Sequence, residues 1–284
     1  MLPGLGACLL LGAAVVLLPL PQLGIGLLVC AILIAVILHP PIAAYFLLAF
    51  TPLLAGINRG AGIPLLRPTE ALAALVGCGL LIRAIMVALR SGVPSFRPST
   101  IDVAILVLAI TSSILPLLWM LARGVQVTTD DILYGLVLWK FFGIYLIFRS
   151  SVRTQRHVRT CLWIAMLTGV VVSVIAMLQA LGVPPVTAFV TRYFSRLGDT
   201  QSTLNSRGGA TFGLPIALAD YLLFNLAIAA GFLVETRTRH VTLWILSLFF
   251  VGGVLASGEF SALIGLIVAI VVLAIVARRG TLVL

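Results

Sequence analysis

The sequence predicts an all-α protein, a polytopic transmembrane helical bundle of about ten spans with one long extracytoplasmic loop. Four observations predict it. Of 284 residues, 62% are hydrophobic and only 9% charged, whereas soluble domains carry roughly 25% charged residues. The mean hydropathy is +1.24. The apolar runs last about twenty residues without the alternation that membrane barrel strands need. Arginines fall almost entirely between those runs. Together these features exclude a water-soluble globular fold, disorder, a coiled coil and a disulfide scaffold.

Each span follows from an apolar run and its punctuation. The expected spans are roughly 4–20, 22–38, 41–56, 69–89, 101–121, 132–149, 159–182, 212–234, 241–257 and 260–277. The first three are short and separated only by the turns at Pro19-Leu20-Pro21 and His39-Pro40-Pro41. Two of them alternatively form one broken or re-entrant pair. Proline ends or kinks a helix because it lacks an N–H and clashes with the preceding turn. No positively charged region precedes the first run, so it reads as a retained helix rather than a signal peptide. The whole of 1–284 is expected to be one transmembrane domain.

Arginine placement sets the orientation. Arg90 and Arg97, then Arg149, Arg153, Arg156 and Arg159, then Arg237 and Arg239, then Arg278 and Arg279 fall in alternate connections. The positive-inside rule makes that set cytoplasmic and places both termini inside the plasma membrane. The opposite connections carry Arg59 and Arg67, then Arg123 with Asp130 and Asp131, then the 183–211 segment, then Ser257-Gly258-Glu259. The formal net charge of +10 thus orients helices and meets membrane lipids, and nucleic acid is not an expected partner. Cys8, Cys30, Cys78 and Cys161 lie in apolar runs without metal-type spacing and read as small buried hydrophobes.

The 183–211 connection is the longest polar segment and reads as a structureless extracytoplasmic loop, which in a compact protein is usually functional. Arg192, Arg196 and Arg207 lie on it, on the side where positive charge is normally scarce. They either meet lipid headgroups and steady the loop or form an anion site, since guanidinium offers forked donors matched to phosphate oxygens. Lys140, the only lysine, sits inside a span, and Asp220 lies just inside the span after Arg207. An intramembrane charge is a functional candidate by default. Lys140 is expected to attract an anion or to pair with Asp102 or Asp131, and Asp220 to hold Arg207 or cap its helix.

The run Arg207-Gly208-Gly209-Ala210-Thr211-Phe212-Gly213-Leu214-Pro215-Ile216-Ala217-Leu218-Ala219-Asp220-Tyr221 resembles the signature of the O-antigen ligase and O-antigen polymerase superfamily. Arg207, Phe212, Gly213, Pro215, Leu218, Ala219 and Tyr221 fit that pattern, while Ile216 stands where an Asn is common. Gln179-Ala180-Leu181-Gly182 is similar to the Gln-x-Leu-Gly span ending of that family. Ser257-Gly258-Glu259-Phe260-Ser261-Ala262-Leu263 is similar to its turn before a later span, with Glu259 and Phe260 where the family carries Arg.

The resemblance implies a glycan transferase whose donor is a polyprenyl-diphosphate-linked glycan and whose acceptor is a lipid A core sugar or another glycan. It implies no cofactor and no metal. The leaving diphosphate needs cations and the acceptor hydroxyl needs a base. Arg207 is the first candidate for the diphosphate, with Arg192, Arg196 and Lys140 behind it and Asp220 in support. Asp199 and Glu259 are the base candidates. Members of the family carry a second outside loop with a His, so the sequence ending at Leu284 is expected to lack that part. His39, His157 and His240 all map to the cytoplasmic side and are expected to cap or line the interface. Two other readings stand beside this one: a transporter or flippase for a lipid-linked or amphipathic substrate, and an inactive truncated homologue. Inverted repeats would favour the transporter, and the sequence shows none.

Overall fold

The computed structural model describes residues 20–58, 66–91, 99–194, 207–235 and 240–280. The first expected span, Cys8, Arg59, Arg97, Arg196, Asp199, Arg237 and Arg239 lie outside the described residues. The described structure is helical and carries no strand pairing between elements. Five helices are long and apolar enough to cross a membrane: Pro68–Ser91, Thr100–Ala122, Asp131–Ser151, Gln155–Ala180 and Pro215–Leu233. Shorter apolar helices cover Gly24–Leu38, Pro41–Leu54 and Val241–Ser257. This is a multi-pass, all-helical membrane protein.

Two compact units share the chain: residues 1–43 with 73–152, and residues 44–72 with 153–284. The first contains α1 (Leu20–Leu38), most of α3 (Pro68–Ser91), α4 (Thr100–Ala122), α5 (Thr129–Gly135) and α6 (Val137–Ser151). Helices α4 and α5 start where the local chemistry says they should. Ser99 and Asp102 form a reciprocal capping box, as do Thr128 and Asp131. Each pairing satisfies backbone N–H groups that a helix start leaves open. Helices α5 and α6 meet at Leu136 and together make the Asp131–Ser151 run that covers the expected span over 132–149.

Polar contacts stitch this unit. The Asp102 carboxylate accepts the Tyr145 hydroxyl at 3.0 Å and the Arg149 guanidinium, joining α4 to α6. Trp139 Nε1 donates to Ser113 Oγ at 2.9 Å, again between α4 and α6. Arg83 Nη1 donates to the carbonyls of Ile37 at 2.5 Å and Leu38 at 3.1 Å. Arg83 therefore closes the C-terminus of α1 by satisfying carbonyls that have no partner within that helix. Nearby, a side chain on Gly79 would begin 2.9 Å from Val36 Cγ1, so α1 and α3 approach closely there.

The second unit contains most of α2 (Pro41–Leu54), α7 (Gln155–Ala180), α8 (Pro184–Phe194), a short 3-10 turn (Ala210–Phe212), α9 (Pro215–Glu235), α10 (His240–Ser257) and α11 (Phe260–Gly280). Its core is the seam of α7, α9 and α10, filled by Met166, Val172, Leu218, Leu222, Phe250 and Val254. Glycines set the spacing of that seam. A Cβ on Gly169 would sit 2.9 Å from Phe250 Cε1, and one on Gly253 would sit 2.5 Å from Leu222 Cδ1. Small residues let membrane helices pack backbone to backbone where apolar burial gives no preference between protein and lipid.

Two expectations are corrected here. The 183–211 segment is not structureless: Pro184–Phe194 is helix and Ala210–Phe212 is a 3-10 turn. Its inner residues Val190 and Phe194 are buried, so apolar side chains spaced one turn apart gave this stretch a helix and a packing face. Cys161 is buried as expected, but Cys30 and Cys78 are exposed. In a bilayer an apolar side chain loses nothing by facing lipid, so apolar neighbours in the sequence do not imply a protein core.

Candidate functional site

The site grows from the return of the chain at Arg207. Helix α7 ends in a Schellman turn, in which the Val183 N–H donates to Leu178 O and the Gly182 N–H donates to Gln179 O. Gly182 has φ +70°, a left-handed conformation that favours glycine. The residues from Arg207 to Leu214 then pass back over the ends of four helices.

Each residue of that passage is held. The Gly208 N–H donates to Ala256 O at 2.8 Å, at the end of α10. A Cβ on Gly208 would lie 2.7 Å from Ala176 O, so only glycine fits against α7. The Ala210 N–H donates to Gln179 Oε1 at 2.8 Å, in a buried contact. Ala210 itself has φ 41°, a conformation that costs an alanine about 1–2 kcal/mol. Thr211 Oγ1 donates to Pro52 O at 2.8 Å, and Thr211 O accepts the Gly56 N–H at 2.7 Å. Gly213 has φ +66°, and a Cβ there would project to within 2.5 Å of Phe194 O at the end of α8. Phe212 stacks on Tyr221, whose hydroxyl donates to Ala165 O at 3.1 Å.

Among the described residues, this segment presents the Arg207 cation. The Arg207 side chain is 51% exposed, and its Nη1 lies 3.9 Å from Glu259 Oε1. Its aliphatic stem runs across Gly258, where a Cβ would begin 3.3 Å from Arg207 Cγ. Gly258 has φ +64°, so the turn before α11 needs glycine on both counts. Two motifs about fifty positions apart in the chain, Arg207-Gly208-Gly209 and Ser257-Gly258-Glu259, thus form one surface. At 3.9 Å Arg207 pairs with Glu259 by charge, and its half-exposed guanidinium is the kind of forked donor that suits an anion.

No protein-family model, characterised protein or solved structure matches this chain.

Among the described residues, the structure brings together Arg207 and Glu259. Arg192 lies on α8 with its guanidinium carbon 5.5 Å from the Tyr193 ring centroid. Asp220 is exposed on α9, and the ion-pair partner of Arg207 among the described residues is Glu259 rather than Asp220. Lys140 belongs to the first unit, and its Nζ lies 5.5 Å from the Phe141 ring centroid. Asp102 is taken by Tyr145 and Arg149, and Asp131 by its capping contacts to Thr128 at 2.9 Å and 2.7 Å. A helix-start carboxylate is captured first by the N–H groups beside it, which are already in place. Among the described residues, no group of His, Cys, Asp or Glu is clustered to hold a metal ion.

Sequence reasoning missed Arg83, Thr211 and Gly56. For Arg83 the signal was present, a lone charge within an apolar run. Thr211 and Gly56 gave none, because their roles depend on each other across the fold.

Proposed function

We propose that this chain is a membrane glycan transferase that moves a polyprenyl-diphosphate-linked oligosaccharide or polysaccharide to an acceptor on the outer face of the plasma membrane. The observation that carries the reading is Arg207, a half-exposed guanidinium held on a segment that glycine packing and buried hydrogen bonds fix in place. Transfer breaks the bond from the sugar to the diphosphate oxygen and forms one to the acceptor oxygen. The acceptor proton passes to a base, and negative charge develops on the departing diphosphate. A preorganised guanidinium lowers the energy of that charge without first having to reorganise.

Glu259, whose carboxylate lies 3.9 Å from the Arg207 guanidinium, also helps to position that side chain. Asp199 and Glu259 are the base candidates, with Arg192 and Arg196 as secondary phosphate contacts. The reading includes about ten spans, a cytoplasmic N-terminus and an extracytoplasmic 183–211 segment, as arginine placement implies. In a complementation assay for polymer or ligation product, Arg207→Ala is expected to abolish product while the chain still inserts. Arg207→Lys, which keeps the charge and loses the fork, is expected to restore only part of it. Full product from Arg207→Ala would overturn the proposal.

A further inference from the structure

The helix α8 carries an outer face that is not packed into the core. Its inner side is packed, with Val190 2% and Phe194 4% exposed. Its outer side shows Phe189, 48% exposed, and Tyr193, 50% exposed, with Arg192 between them in sequence. The Phe189 and Tyr193 ring centroids are 5.3 Å apart, and the Arg192 guanidinium carbon lies 5.5 Å from the Tyr193 ring. The helix contains no acidic residue. Two large rings and a cation on one face are poorly suited to bulk water, but they suit the boundary between acyl chains and phosphates.

The length of α7 places α8 at that boundary. Arg156 and Arg159 lie in its first turns. From Thr160 to Ala180 the helix carries no charge, and at about 1.5 Å per residue this stretch spans about 31 Å, close to the roughly 30 Å of a hydrocarbon core. With the two arginines at one headgroup layer, Ala180 reaches the other. The chain turns there through the Schellman motif at Gly182, and Pro184 opens α8. A helix that starts within four residues of the membrane boundary and folds its apolar side back on α7 has its outer face at headgroup level.

We propose that α8 is an interfacial helix whose Phe189–Arg192–Tyr193 face seats in the headgroup layer of an anionic phospholipid bilayer. The rings enter the acyl boundary and the guanidinium contacts lipid phosphates. Because Phe194 O packs against Gly213, this seat also fixes the depth of the segment that carries Arg207. The inference does not depend on glycan transfer.

The test uses the full chain with its native cysteines replaced by alanine, and Phe189→Cys or Tyr193→Cys spin-labelled and reconstituted into vesicles. Phosphatidylcholine vesicles are compared with and without phosphatidylglycerol, and collisions with oxygen are compared with those of a water-soluble nickel complex. Greater oxygen accessibility at both positions, deepening when phosphatidylglycerol is present, is the expected result. Arg192→Gln is expected to lose the phosphatidylglycerol response. Greater nickel accessibility at either position, or a response that survives Arg192→Gln, would overturn the proposal. Hydroxyl-radical footprinting of the unsubstituted chain in the same vesicles covers labelled variants that fail to insert. Protected rings uphold the seat, and rings oxidised as fast as free tyrosine refute it.

Discussion

Replacing Gln179 with Leu removes one acceptor and leaves the rest of the Arg207 segment chemically intact. The Ala210 N–H donates to Gln179 Oε1 at 2.8 Å, and Ala210 is fully buried, so neither water nor a second described acceptor stands in. A buried N–H without its partner costs about 1–3 kcal/mol. That bond also opposes local strain, because Ala210 holds φ 41°, a left-handed conformation unfavourable for alanine by about 1–2 kcal/mol. Gln179→Leu is therefore expected to destabilise the second unit by about 1–3 kcal/mol. Ala210→Gly is expected to act in the opposite direction. It relieves the left-handed strain and gives back about 0.4–1 kcal/mol through the more mobile unfolded chain, leaving a net gain of up to about 1.6 kcal/mol. Equilibrium unfolding in mixed micelles of dodecyl maltoside and dodecyl sulfate measures both. Changes within about 0.5 kcal/mol for Gln179→Leu, the ordinary range for an unimportant surface position, or destabilisation by Ala210→Gly, would refute the reasoning.

Two further outcomes follow from the helix seams. Gly253→Val should destabilise the α7–α9–α10 seam by about 1–3 kcal/mol in the same unfolding assay, since overpacking forces neighbours off their rotamers; a Cβ there already meets Leu222 Cδ1 at 2.5 Å and Ser173 Oγ at 2.8 Å. Asp102→Asn and Arg149→Gln should each lower the unfolding midpoint, and the double variant should be no worse than the worse single one. They share one contact between α4 and α6, and strict additivity in that double-mutant cycle would show that they act separately.

Much of the helical layout could be read from residue order. Runs near twenty apolar residues, ended by proline, glycine or arginine, gave helices at Leu20–Leu38, Thr100–Ala122 and Gln155–Ala180 close to where they stand. The caps at Ser99 and Thr128 are equally local, since donor and acceptor lie three residues apart. The candidate site was legible only in pieces. Arg207, Gln179 and Ser257-Gly258-Glu259 were visible as separate motifs, but nothing in their order says that Gln179 holds Ala210 or that Glu259 faces Arg207. The partners of Asp102 were hidden in the same way, because Arg149 and Tyr145 reach it from α6, more than forty positions along the chain.

Residue order determined that this chain is helical, membrane-embedded and basic at its connections, because hydropathy and charge act on each segment by itself. Tertiary structure decided which faces meet and which charges pair. In lipid, inward and outward helix faces are almost equally apolar, so periodicity carries little information about packing, and close approach rests on small residues such as Gly56, Gly208 and Gly253 whose neighbours lie far away in the chain.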